Sequence, residues 1–177
     1  MNGNSFLRNS AYSYGAVFLS GSKVVANCNT FEGNQAKEPT FYYSAIAGDK
    51  SVGAADLNFG TGGGDFLSGG GAICLRFSSL DAKLNVFTNN TGSSGGALYA
   101  ENSHVDAKFN SFTFNIASNG GGGAIYGLYA VTVINADTFA NNSDTVSSLG
   151  SSNLVGMRLL LSSKKDFAQL IPYLYLL

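Results

Sequence analysis

The sequence has no tryptophan, one histidine, two prolines and two cysteines, and only 12% of its 177 residues are charged. One histidine leaves a Ser-His or Cys-His relay no base except His104, and with two cysteines it gives too few soft ligands for a structural zinc site. Ten basic side chains against eleven acidic ones leave a net charge of −1, and the longest basic run is Lys164-Lys165. The positive footprint of a nucleic-acid binder is therefore missing, and neither a nucleic-acid partner nor a cofactor is expected. No apolar stretch approaches the ~20 residues of a membrane-spanning helix, and Met1-Asn2-Gly3-Asn4 has neither the basic start nor the apolar core of a signal peptide. The length suits one domain.

What the chain does have is glycine, 23 residues of it, together with asparagine placed at fixed intervals. The string Asn-x-Phe-x-x-Asn starts at Asn4, Asn29, Asn85 and Asn110, and Asp137-Thr138-Phe139 opens a fifth copy. Its phenylalanines are spaced by 25, 56, 25 and 27 residues. The long interval reads as two turns of 28, with a degenerate copy at Leu57-Asn58-Phe59 on its midpoint. A second marker alternates with the first: Gly15-Ala16-Val17, Gly71-Ala72-Ile73, Gly96-Ala97-Leu98, Gly123-Ala124-Ile125 and a worn Ser44-Ala45-Ile46. From each alanine to the next phenylalanine the count is 14 or 15, whereas the return count varies from 10 to 14. A constant run is stacked in register; a variable one is a surface loop, because loops absorb length at small entropic cost.

Between the markers the apolar residues alternate with polar ones, as in Leu80-Asp81-Ala82-Lys83-Leu84-Asn85 and Val105-Asp106-Ala107-Lys108-Phe109-Asn110. Period two excludes helix and predicts strands with one buried face. A coil of 25–28 residues built from short strands is the unit of a parallel β-helix, in which each coil pairs with the next. The prediction is an all-β solenoid of five to six coils over residues 1–145, with 146–177 as a degenerate last coil or an apolar C-terminal cap.

Equivalent positions then form columns along the rod. Phe6, Phe31, Phe59, Phe87, Phe112 and Phe139 are expected to stack as the spine of the core, each worth ~1.5–3 kcal/mol by burial. Asn4, Asn29, Asn58, Asn85, Asn110 and Asp137 are expected at a corner, where asparagine accepts left-handed backbone and its amide bonds from coil to coil. The glycine of each Gly-Ala pair is expected to supply positive φ at the opposite corner. Cys28 is placed inward and Cys74 outward, too far apart for a disulfide.

On the outer face, Asp81 and Lys83 should lie one rung from Asp106 and Lys108. Such a quartet is a set of solvated ion pairs or, with further acids, a calcium or acid/base site. Arg76 should fall under Glu101 as a cross-coil salt bridge. Phe18, Cys74, Tyr99 and Tyr126 should form an outward strip on which a sugar ring or a partner can stack. His104 is expected as a solvent-facing turn residue, and 35–44, 63–70 and 116–122 as the displayed loops.

The alternation of Gly-Gly-Ala-(Ile/Leu) at 71–73, 96–98 and 123–125 with Phe-x-x-Asn at 87–90, 112–115 and 139–142 resembles the repeat of bacterial polymorphic outer-membrane proteins. More broadly it is similar to the right-handed parallel β-helix group, and the resemblance covers about residues 1–145. It implies a right-handed coil and an autotransporter-like passenger, secreted or held at the cell surface in the outer membrane. Such a passenger works in adhesion without catalysis, normally with a signal peptide before it and a β-barrel after it, so this chain is expected to be a fragment. The implied partner is a cell-surface protein or glycan, and any membrane attachment would come through other segments. The competing expectation is a carbohydrate-active β-helix enzyme, lyase-like or hydrolase-like, or a fragment of one. Its candidate residues are Asp81, Lys83, Asp106 and Lys108.

Overall fold

The computed structural model describes residues 1–12, 14–37, 69–118 and 122–145, together with the main chain of 154–161. Every regular element among them is a strand, and every strand pairing is parallel. One sheet stacks β1 (Ser5–Leu7), β5 (Thr30–Glu32), β9 (Val86–Thr88), β13 (Ser111–Thr113) and β16 (Thr138–Ala140). A second stacks β2 (Ser10–Tyr12), β6 (Gln35–Lys37), β10 (Thr91–Gly92), β14 (Ile116–Ala117) and β17 (Ser143–Asp144). The third has two arms: β3 (Val17–Ser20), β7 (Ile73–Arg76) and β11 (Leu98–Glu101), and then β4 (Lys23–Asn27), β8 (Ser79–Lys83) and β12 (His104–Lys108). Both arms end on the continuous β15 (Ile125–Asn135), and β18 (Leu154–Leu161) pairs with β15 beyond them. The result is a parallel β-helix of about four turns.

The turn count is lower than the sequence spacing suggests because Phe31 pairs directly with Phe87, Val24 with Leu80 and Val17 with Ile73. The interval of 56 residues therefore advances the ladders by one turn, not two. Phe59 and Asn58, expected as rungs of the two ladders, lie outside the described residues, and the rung they were assigned does not exist. The Phe31 and Phe87 ring centroids are 4.9 Å apart with nothing between them. Phe6, Phe31, Phe87, Phe112 and Phe139 stack in succession at 4.6–5.0 Å with interplanar angles of 3–6°. Around this pile lie Ile73, Leu75, Leu80, Leu98, Val105, Ile125 and Ile134, all buried. Of the expected loops, 35–37 and 116–117 are strands and Gly69 and Gly70 are buried, while 38–44, 63–68 and 119–121 lie outside the described residues.

Three of the four corners of a coil share one construction. A residue with φ of 46–65° turns the chain, and the next side chain points inward. The turning columns are Gly21, Phe77, Asn102, Tyr129; then Gly3, Cys28, Leu84, Phe109, Ala136; then Arg8, Gly33, Asn89, Phe114, Asn141. The turn aims the following amide N–H away from the strand ladder, and a side-chain oxygen of the next coil accepts it. At the second corner Asn29 N donates to Asn85 Oδ1 at 2.9 Å, Asn85 N to Asn110 Oδ1 at 2.9 Å and Asn110 N to Asp137 Oδ1 at 2.6 Å. Each amide nitrogen repeats the link, and each also reaches back to a carbonyl of the coil before, as Asn85 Nδ2 does to Ala26 O at 2.8 Å. Asn9, Asn34, Asn90, Asn115 and Asn142 build an identical ladder at the third corner. These ladders satisfy buried polar groups that the bent backbone would otherwise orphan.

Two expectations about the backbone change here. The ladder asparagines themselves are not left-handed; the residue before each one is. For that reason alternation stops early, and Cys28, Leu84 and Phe109, read as inward, stand exposed at corners. The Gly-Ala glycines do not have positive φ either. They are glycines because successive coils touch there: a Cβ on Gly96 would lie 1.9 Å from Gly123 O, and one on Gly15 would lie 1.6 Å from Gly71 O.

One core position breaks the pattern. Thr132 occupies the column of Val24, Leu80 and Val105, is fully buried, and its Oγ1 has no hydrogen-bond partner among the described residues. Thr132→Val keeps the shape and removes the unpaired hydroxyl, so it should raise stability by about 1 kcal/mol, read as a higher urea midpoint at unchanged slope.

Candidate functional site

Since the interior is committed to structure, function has to lie on what faces outward. The charged quartet forms as expected in register, Asp81 beside Asp106 and Lys83 beside Lys108. Lys108 Nζ donates to Asp106 Oδ2 at 2.6 Å, and this hydrogen bond holds the ammonium above its ordinary pKa. The pair lies along one strand, not crossed between coils. Asp106 Oδ1 is shielded and accepts nothing. The column ends at once on either side, since Val25 and Asn27 precede the quartet and Val133 and Asn135 follow it. Among the described residues no three His, Cys, Asp or Glu side chains are grouped to share a metal ion.

The aromatic strip forms in register but does not face solvent throughout. Phe18, Cys74, Tyr99 and Tyr126 follow one another, and the two tyrosine rings stack at 5.6 Å. Tyr99 is only 2% exposed and Cys74 is fully buried. The main chain at Gly69 lies over Cys74, where a Cβ would be 2.6 Å from Cys74 Sγ. Tyr14 adds to the layer by stacking on Phe18 at 4.1 Å. Arg76 and Glu101 meet as expected, Nε to Oε2 at 2.9 Å, with the Arg76 guanidinium 5.7 Å from the centre of the Tyr14 ring. Tyr99 therefore offers no surface for a ligand, which corrects its assignment to a binding strip; Tyr126 stays half-buried.

Burial pushes the Cys74 thiol up to about 12, against a smaller opposing pull from Arg76, and it pushes the Tyr99 hydroxyl upward too, helped by Glu101. A thiol with so little thiolate is inert. One thiol, Cys28, should therefore react with a maleimide in the folded protein, and the second should appear only in denaturant; mass spectrometry of the labelled peptides reads which is which.

The feature that alternation did not reveal is the first corner. Ser22, Ser78 and Ser103 stack there, Ser22 N donating to Ser78 Oγ at 3.1 Å and Ser78 N to Ser103 Oγ at 3.0 Å. Each hydroxyl donates two residues back, Ser78 to Arg76 O at 2.7 Å and Ser103 to Glu101 O at 2.6 Å. A regular count was available to find them: each serine stands six residues beyond the Ala marker, and each turning residue five. This serine line is the floor of an open groove whose lining includes Gly21, Phe77, Asn102 and Tyr129 on one rim and Lys23, Ser79 and His104 on the other. Sequence reading placed His104 alone at a turn; it is exposed as expected, but it is the first residue of β12 and a member of this rim.

The fold and its ladders thus define a parallel β-solenoid repeat protein with an exposed corner groove. Residues 86–101, from the strand after the Asn85 ladder to the end of β11, match the family model described as the Chlamydia polymorphic membrane protein repeat. No curated protein and no solved structure matches the chain significantly.

Proposed function

We propose that this chain is a non-enzymatic interaction module of a surface-exposed, outer-membrane type of protein, an autotransporter-like passenger segment that adheres to a cell-surface protein or glycan. The match to a membrane-protein repeat supports the class. The observation that carries the adhesive reading is the outward display of large apolar side chains at the corners: Phe77, Leu84, Phe109, Phe114 and Tyr129 all stand exposed. A folded chain gains nothing from rings in water, and Leu84 and Phe109, on successive rungs of the second corner, make an apolar patch of the kind that marks contact surfaces. The charged quartet, confined to two coils and internally paired on one of them, supports catalysis poorly.

The test is adhesion of beads carrying the full 177-residue chain to cultured epithelial cells. Saturable binding is expected, falling roughly tenfold when the corner residues Phe77, Phe109 and Tyr129 are changed together to asparagine. Adhesion no better than that of albumin-coated beads would overturn the reading.

A further inference from the structure

The groove at the serine corner combines a rigid floor with side chains that are free to act. The hydroxyls of Ser78 and Ser103 already accept an amide N–H and donate to a carbonyl, and that of Ser22 donates to Ser20 O, so the floor is neutral and held in place. The side chains of Lys23, Ser79, Asn102 and His104, by contrast, have no hydrogen-bond or ion-pair partner among the described residues. The two rims face each other rung by rung: Gly21 with Lys23, Phe77 with Ser79, Asn102 with His104, and Tyr129 with Val131. Successive rungs are ~4.8 Å apart. Two rings thus stand two rungs from each other, with a carboxamide and an imidazole on the rung between them.

The rings are badly placed for folding. Phe77 is 65% exposed and Tyr129 81%, and both occupy left-handed backbone, which costs a non-glycine residue roughly 1–2 kcal/mol. The same column shows the cheaper solutions, glycine at 21 and asparagine at 102, residue types that tolerate this conformation. Two largely exposed rings on one rim, beside polar side chains that have no partner among the described residues, form a contact surface that the fold itself does not use. Apolar platforms combined with a few orienting donors are how a protein takes up a flat, hydroxyl-rich molecule. No carboxylate lines the groove: Glu101, next to Asn102, is held by Arg76, and Asp81 lies two residues beyond Ser79 on the outer face of β8. Lys23 is the fixed charge, and the glycine facing it leaves that end open.

We infer that this groove binds an acidic glycan, a short chain of sugars lying along the rod, with pyranose faces on Phe77 and Tyr129, ring hydroxyls on Asn102, His104 and Ser79, and a carboxylate at Lys23. The inference rests on the adhesive reading above and narrows it to one ligand class. Sialic acids and uronic acids share the chemistry.

Titration calorimetry of the full chain with four probes tests it: a sialylated tetrasaccharide, a tetrasaccharide of uronic acids and the neutral parent of each. One acidic probe should bind and its neutral parent should bind at least tenfold more weakly. Phe77→Asn and Tyr129→Asn should each reduce affinity about tenfold while leaving the thermal midpoint unchanged or higher, and Lys23→Gln should remove the preference for the acid. No binding by either acidic probe, equal binding of a neutral parent, or affinity unchanged in both ring variants would overturn the inference. Beads on cells stripped enzymatically of acidic sugars separate this failure from that of the broader reading. Adhesion that survives stripping sinks the glycan and keeps the adhesin; glycan binding without adhesion to intact cells does the reverse.

Discussion

Asn85→Ala should lower stability by about 3–5 kcal/mol, enough to abolish most of the folded state of an ordinary domain. The side chain is buried and works in both directions. Its oxygen accepts from Asn29 N and Asn29 Nδ2 at 2.9 and 3.0 Å, and its nitrogen donates to Ala26 O and Asn110 Oδ1 at 2.8 and 2.9 Å. Truncation leaves the Asn29 amide N–H and the Ala26 carbonyl dry and unpaired, and each such group costs its full desolvation penalty. Asn89→Gly is the matched control. Asn89 is exposed, and it turns the chain at a φ of 54°, where glycine is at ease. Its midpoint should stay within about 0.5 kcal/mol of the parent or rise. Urea denaturation of both variants measures the difference, and a loss below about 1 kcal/mol in Asn85→Ala would mean the ladder does not hold the coils.

Gly96→Ala should be as damaging for an entirely different reason. The added methyl would lie 1.9 Å from Gly123 O, 2.6 Å from Ile116 N and 2.9 Å from Asn115 C, all main-chain atoms of the next coil. No rotamer can yield, so the coils must separate locally. That strains the bonds from Gly96 N to Gly122 O at 3.1 Å and from Ala97 N to Ala124 O at 2.9 Å. A loss of more than about 4 kcal/mol, or failure to fold, is expected. Gly33→Ala isolates the other use of glycine. Its φ is 65° and the nearest neighbour is the Arg8 side chain at 3.4 Å, so only backbone strain of about 1–2 kcal/mol is incurred. If circular dichroism and thermal melting rank the two alike, close approach is not what fixes the Gly-Ala marker.

The columns that repeat a residue type were legible, and those that do not were hidden. Phenylalanine at the spine and asparagine at the ladders recur because the interior accepts one shape per column, so spacing alone located Phe87, Phe112, Asn85 and Asn110. The turning positions carry Phe, Leu, Tyr, Cys, Ala, Arg, Asn and Gly, since their side chains leave the fold; nothing in residue type betrayed the left-handed backbone or the groove it creates. The serine ladder was shorter, three residues of a common type, and went unread although its count from the Ala marker is constant. Length arithmetic failed between Phe31 and Phe87, because a count of residues cannot tell one turn from two when an interval is free to vary in length. The burial of Tyr99 was unreadable because alternation places its side chain on the outer face, and nothing in residue type shows that this stretch of the face is covered.

The asparagine and serine lines have a polarity. Every ladder oxygen accepts from the coil before it, and every turned N–H donates to the coil after it. The two ends of the rod are consequently unlike in hydrogen-bonding sense. Two copies brought together by a twofold axis at matching ends would continue neither ladder, whereas a copy joined head to tail would extend both. A contact that extends the ladders from one copy into the next is therefore head to tail, an arrangement that does not close on itself.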